Sequence, residues 1–129
     1  MTKITKPKGR IMNTGFIGFG EAGSILAEGL LKAGVPSVSA YDSNPSFSAR
    51  ADQVGINPCT SLKELSECSE FIFSTVVTTQ ALNVAQEAVP YLKSTHCYLD
   101  LNSTSPDEKC KIAETVNASS ADFVEAAVM

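Results

Sequence analysis

The stretch GFIGFGEAGSILAEGLLKAG, residues 15–34, constrains the fold more than any other part of the chain. The run TGFIGF at 14–19 is apolar and bounded by glycines, which suits a buried parallel strand. Behind it Ala22, Ile25, Leu26, Gly29, Leu30 and Ala33 return at helical spacing, and Gly34 followed by Pro36 stops the helix. Gly18, Gly20 and Gly23 occupy the joint. A strand that enters a helix through three such positions must turn sharply and lay the helix close against itself.

The alternation continues. SVSAYD (37–42) alternates as a strand does, NPSFSARADQVG (44–55) has a proline near a helix start and a glycine at its end, and INPCT (56–60) supplies a short strand. SLKELSEC (61–68) opens on a serine with a glutamate three residues on, the pattern of a capping box. EFIFSTVV (70–77) is the most strand-like run. TQALNVAQEAVPYL (79–92) reads as a helix with Ala81, Val84, Ala85, Ala88 and Val89 on one stripe, and Pro90 must bend or end its last turn. HCYLDL (96–101) is a strand, SPDEKCKIAETVNAS (105–119) a helix with a Ser-Pro-Asp-Glu opening, and DFVEAAVM (122–129) a final apolar strand. Strands alternating with helices predict an α/β fold, a doubly wound parallel sheet of about six strands with helices on both faces and right-handed crossovers.

Composition narrows the partners. The net charge is −4, and no Lys/Arg stripe with interleaved aromatics appears, so nucleic acid is excluded as a partner. No apolar run approaches the ~20 residues of a membrane span, so no membrane partner is expected. The start lacks the apolar core of a secretory signal; residues 1–11 read as an N-terminal tail or upstream start ahead of a domain over 12–129, with an organelle transit peptide the weaker alternative. Cys59, Cys68, Cys97 and Cys110 form no C-x-x-C and lie in or beside apolar segments. They read as free thiols packed as small hydrophobes in a reducing cytoplasm, without metal. The single His96 reads as a surface turn residue.

In a doubly wound sheet the first strand-to-helix turn can rest a dinucleotide pyrophosphate on a helix N-terminus. Gly18 permits the turn, Gly20 removes the Cβ that would strike the phosphates, and Gly23 admits the helix to the strand. The spacing is G-x-G-x-x-G, so Phe19, Glu21 and Ala22 join the glycines as candidate cofactor contacts. Asp42 ends the second strand 19 positions past Gly23, near the roughly 20 expected of an acid that binds the adenosine ribose. Tyr41 and Ser43 flank it. The alternative role for Asp42 is to cap the helix near Pro45. Its carboxylate would repel a 2′-phosphate and no arginine stands at 43 or 44, so NAD is expected, with NADP possible if Arg50 swings in. Glu21 beside a pyrophosphate is unfavourable unless it points to solvent.

With these residues in place the chain resembles the amino-terminal domain of the β-hydroxyacid dehydrogenases, which include hydroxyisobutyrate dehydrogenase and phosphogluconate dehydrogenase-like reductases. GFIGFGEAG (15–23) is similar to the family's opening motif, YLDLNSTSPDEKCKIAE (98–114) to its D-x-S-T-x-S-P element, and FVEAAVM (123–129) to its F-V-D-A-P-V-S strand. The resemblance implies a Rossmann fold, hydride transfer, Val76, Val77 and Thr78 beside the adenosine ribose and pyrophosphate, and Asn102 and Ser103 near the nicotinamide. The last two have a turn-making role as the alternative. Asn102 replaces the family's Ser, Ala127 its Pro and Met129 a Ser that touches the substrate carboxylate, which points away from an ordinary small hydroxyacid and admits a carbonyl or imine substrate.

In that family the catalytic lysine comes from a second, all-helical domain that also makes the homodimer. The chain reaches only Met129, and Lys109 and Lys111 read as solvated face charges, so no catalytic residue is assigned. The resemblance thus implies the cofactor half of an NAD(P)-dependent oxidoreductase. A nucleotide-sensing or interaction module on the same fold is the rival, and a methyltransferase-like domain a third reading.

Overall fold

A computed structural model describes residues 13–126. The expected tail at 1–11 and the family departures at Ala127 and Met129 lie outside these. The elements are β1 (Thr14–Ile17), α1 (Glu21–Lys32), β2 (Val38–Tyr41), α2 (Phe47–Gln53), β3 (Asn57–Pro58), α3 (Leu62–Cys68), β4 (Phe71–Ser74), α4 (Ala81–Ala88), β5 (Cys97–Asp100), α5 (Pro106–Asn117) and β6 (Asp122–Glu125). All strand pairs are parallel, in the order β3-β2-β1-β4-β5-β6. The winding reverses between β1 and β4. At such a switch point the connections leave in opposite directions and a crevice opens above the carboxyl ends of the strands.

Successive residues of β1 serve opposite faces. Phe16 joins Val38 and Ala40 of β2, Ala27 of α1, and Phe47 and Ala51 of α2. Ile17 joins Ile72 and Tyr98 of the sheet, Leu65 of α3, Ala81, Ala85 and Ala88 of α4, and Ile112 and Val116 of α5. Helices therefore cover both faces, as a run of apolar residues without alternation requires.

Local chemistry sets the boundaries. Ser61 Oγ accepts from the Glu64 amide at 3.1 Å, as expected of a cap, but the Glu64 carboxylate accepts from the Thr60 amide (2.7 Å) and hydroxyl (2.9 Å) rather than from Ser61. These bonds, the backbone one foremost, hold the Glu64 carboxyl below its usual range. Ser105 Oγ accepts from the Glu108 amide at 3.2 Å with Pro106 opening α5. Pro90 falls in a 3-10 turn, Val89–Tyr91, that ends α4. β4 is shorter than the apolar run, because Val76 turns its amide away from the sheet to a side chain.

Three expectations need correction. His96 is buried: its Nδ1 accepts from the Lys93 amide (2.8 Å), so its Nε2 carries the proton toward the Ser66 carbonyl (2.8 Å) and ties α3 to the turn before β5. Lys109 is also buried, with its ammonium 3.1 Å from the Asp100 carboxylate; Lys111 is exposed. Among the thiols only Cys59 is fully buried, while Cys68 and Cys110 fall on exposed helix faces. The strand expected last is present over Asp122–Glu125 among the described residues, at the edge of the sheet with Val124 44% exposed.

Candidate functional site

A cleft of about 500 Å³ opens at the switch point. The glycine turn contributes Gly18, Gly20, Glu21 and Ala22; the end of β2 contributes Tyr41, Asp42 and Ser43. Thr75, Val76 and Val77 form the wall that follows β4, and Leu62 of α3, Gln80 just before α4, and Val84 and Glu87 of α4 complete it.

The three glycines answer to different demands. Gly18 has φ +99°, and a Cβ there would strike the Thr75 carbonyl. A Cβ at Gly23 would strike the Gly18 carbonyl oxygen and stand 2.6 Å from Thr75 Oγ1. Gly20 has an unremarkable φ of −79°, and a Cβ on it would meet nothing within 4 Å. Neither the backbone nor the packing requires glycine at 20. It is also the N-cap of α1, and no side chain caps that helix's first turn. The first amides of a 12-residue helix therefore face the cleft at its positive end. Glu21 is exposed.

Asp42 joins β2 to this turn. One carboxylate oxygen accepts from the Phe19 amide at 2.7 Å and the other from the Asn44 amide at 2.9 Å. Asp42 is thus not the cap of α2, whose N-cap is Ser46. Arg50 reaches from α2 to the Phe19 carbonyl (3.0 Å), its guanidinium 5.3 Å from the centre of the Phe19 ring. Phe19 itself is buried against Phe47, so it anchors the turn from behind and takes no part in the cleft lining.

The opposite wall is held from two sides. Thr75 donates its amide to the Ile17 carbonyl (2.9 Å) and its hydroxyl to the Gly18 carbonyl (3.0 Å). Val76 donates its amide to Asn102 Oδ1 at 2.9 Å. Val77 is 68% exposed and presents a bare apolar side chain. Thr78 lies at the start of a 3-10 turn with its hydroxyl 3.4 Å from the Ser103 carbonyl, outside the lining.

Of the residues singled out from sequence, the cleft brings together Gly18, Gly20, Glu21, Ala22, Tyr41, Asp42, Ser43, Val76 and Val77. Gly23 and Phe19 support it from below; Asn102 is buried and Ser103 exposed, both outside the lining. Sequence reasoning passed over Ile17, Leu62, Thr75, Gln80, Val84 and Glu87. Thr75 directly precedes the valines, and Gln80, Val84 and Glu87 recur at helical spacing, so that Val84 serves both the cleft and the edge of the core while Gln80 and Glu87 bring polar groups to the same wall. Among the described residues no group of His, Cys, Asp and Glu could hold a metal ion.

Residues 13–129 match the family of the NAD binding domain of 6-phosphogluconate dehydrogenase. The chain belongs to that family. Similar to this NAD-binding domain are a pyrroline-5-carboxylate reductase from Treponema pallidum, 38% identical over 59% of this chain and 30% of the relative, and a 2-(hydroxymethyl)glutarate dehydrogenase from Eubacterium barkeri, 28% identical over 88% and 39%. A solved structure of a conserved hypothetical protein from Sinorhizobium meliloti superposes with a TM-score of 0.86 at 31% identity, over 99% of this chain and 45% of that one. The chain thus spans less than half the length of these proteins. The Rossmann fold and the family resemblance expected from its motifs are both found.

Proposed function

We propose that the cleft holds a nicotinamide dinucleotide with its pyrophosphate on the N-terminus of α1 and its adenosine ribose at Asp42. The observation that carries this reading is Gly20: the fold leaves it free of steric need, yet a side chain there would fill the space in front of the uncapped amides. An ionised carboxylate offers about four acceptor sites and Asp42 spends two on backbone amides, so the ribose hydroxyls have oxygens to meet. NAD is preferred over NADP, because Asp42 repels a 2′-phosphate and Arg50 is engaged at the Phe19 carbonyl rather than turned toward the ribose.

The remaining assignments concern the whole protein. The chain supplies the domain over residues 12–129, and a second, helical domain supplies the catalytic lysine and the homodimer contact. Lys109 cannot serve as that lysine while buried against Asp100. The nicotinamide, when bound, supplies or accepts the hydride, and this chain orients it toward a small hydroxyacid, carbonyl or imine. A reducing cytoplasm suits the free cysteines.

Titration of the chain with NADH and NADPH, followed by cofactor fluorescence, tests the proposal. Saturable NADH binding, with NADPH weaker, is expected. Failure to bind either would remove it.

A further inference from the structure

Beneath the wall that follows β4 lies a buried polar cluster of Ser74, Asp100, Asn102 and Lys109, each no more than 8% exposed. Burying a charged pair and a carboxamide is unfavourable unless each group is partnered. Lys109 Nζ lies 3.1 Å from one oxygen of Asp100, and the other oxygen accepts from both the Asn102 amide (3.1 Å) and its Nδ2 (2.6 Å). The second Nδ2 hydrogen goes to Ser74 Oγ at 3.0 Å. This leaves one orientation for the carboxamide. Turned over, it would set an oxygen against the Asp100 carboxylate and an NH₂ group against the Val76 N–H. Its Oδ1 therefore faces the Val76 amide at 2.9 Å and nothing else in the cluster.

We propose that Asn102 is a positioning residue for the cofactor wall: locked by the Asp100–Lys109 pair, it fixes the Val76 peptide while Thr75 fixes the same loop to the glycine turn. This rests on the cofactor reading above. It reassigns Asn102 from contact with the nicotinamide to control of the loop that the dinucleotide lies against. A serine at 102, as the resembled family has, is too short to reach Asp100 and Val76 together, so the asparagine gives this chain a tie that a serine cannot make.

The test compares the full 129-residue chain with its Asn102→Ser variant by NADH titration and by amide hydrogen exchange resolved at Val76, without cofactor. Loss of one net hydrogen bond should weaken NADH binding about five- to tenfold and speed Val76 exchange while the β4 amides keep their protection. Unchanged affinity, or unchanged Val76 exchange, overturns the proposal. Failure of the unsubstituted chain to bind NADH overturns the cofactor reading instead, and Val76 exchange still reports the tie. If Asn102→Ser does not fold, Ser74→Ala, which removes one acceptor from the same carboxamide, decides by the same two readouts with a smaller loss.

Discussion

Gly20→Ala separates a glycine kept for a ligand from glycines kept for the fold. The new Cβ would meet nothing within 4 Å and the backbone is already in a region open to alanine. Replacing a glycine N-cap by alanine costs about 0.5–1 kcal/mol, and the narrower freedom of the unfolded chain returns about 0.4–1 kcal/mol. Stability should change by less than about 1 kcal/mol, a shift in Tm of under about 6 °C. Binding should suffer far more. A pyrophosphate pushed off one amide loses a charge-assisted hydrogen bond of about 1.5–3 kcal/mol, about ten- to a hundredfold in Kd. Gly23→Ala is the contrast: its Cβ would press on the Gly18 carbonyl and on Thr75 Oγ1, 2.6 Å away. Overpacking of that kind costs about 1–3 kcal/mol, so this variant should lose stability and affinity together. NADH titration beside thermal unfolding by circular dichroism reads both quantities. The reasoning is refuted if Gly20→Ala binds NADH as the unsubstituted chain does, or if it melts as early as Gly23→Ala.

Two further outcomes follow from the site and the core. Asp42→Ser should weaken NADH about tenfold or more through lost ribose contacts and weaken NADPH less; an unchanged ratio of the two affinities would place the discrimination elsewhere. Burial pushes the Cys59 thiol up to about 12 from 9.0, so the folded state resists forming its thiolate. Its contribution is intact below about pH 8.5, the ordinary thiol range, and is lost as pH rises from there toward about 12. Urea midpoints measured across the alkaline range should fall less steeply for Cys59→Ala than for the unsubstituted chain, and parallel curves would contradict the assignment. The Tyr98 phenol, raised by the same cause, accounts for part of what remains.

What was legible in the sequence is what periodicity and backbone chemistry encode. The order of strands and helices follows from apolar runs separated by caps and glycines, and the separate roles of Gly18 and Gly23 follow from the need to turn and to pack. Asp42 was visible because it ends a strand at a set distance from the turn. What stayed hidden was the direction taken by individual polar side chains. His96 and Lys109 carry polar ends that usually lie at the surface, and only the fold shows that Ser66 and Lys93 satisfy one while Asp100 satisfies the other. Asn102 was expected at the ligand because it follows the carboxyl end of a strand; its partners Ser74, Val76 and Asp100 draw it inward instead. Arg50 likewise has a free look in the sequence, and its tie to the Phe19 carbonyl joins residues 31 positions apart.

The place of β1 in the middle of the sheet has a consequence for synthesis on the ribosome. One edge of β1 is covered by β2, soon after it emerges, but the other waits for Phe71–Ser74, and Phe16 gains its stacking partner Phe73 only then. A nascent chain that ends before β4 therefore carries half a sheet with its central strand unpaired on one side. During that interval the nascent chain exposes an open strand edge and the Phe16 face that Phe73 later covers, the kind of surface that favours aggregation of incompletely folded chains.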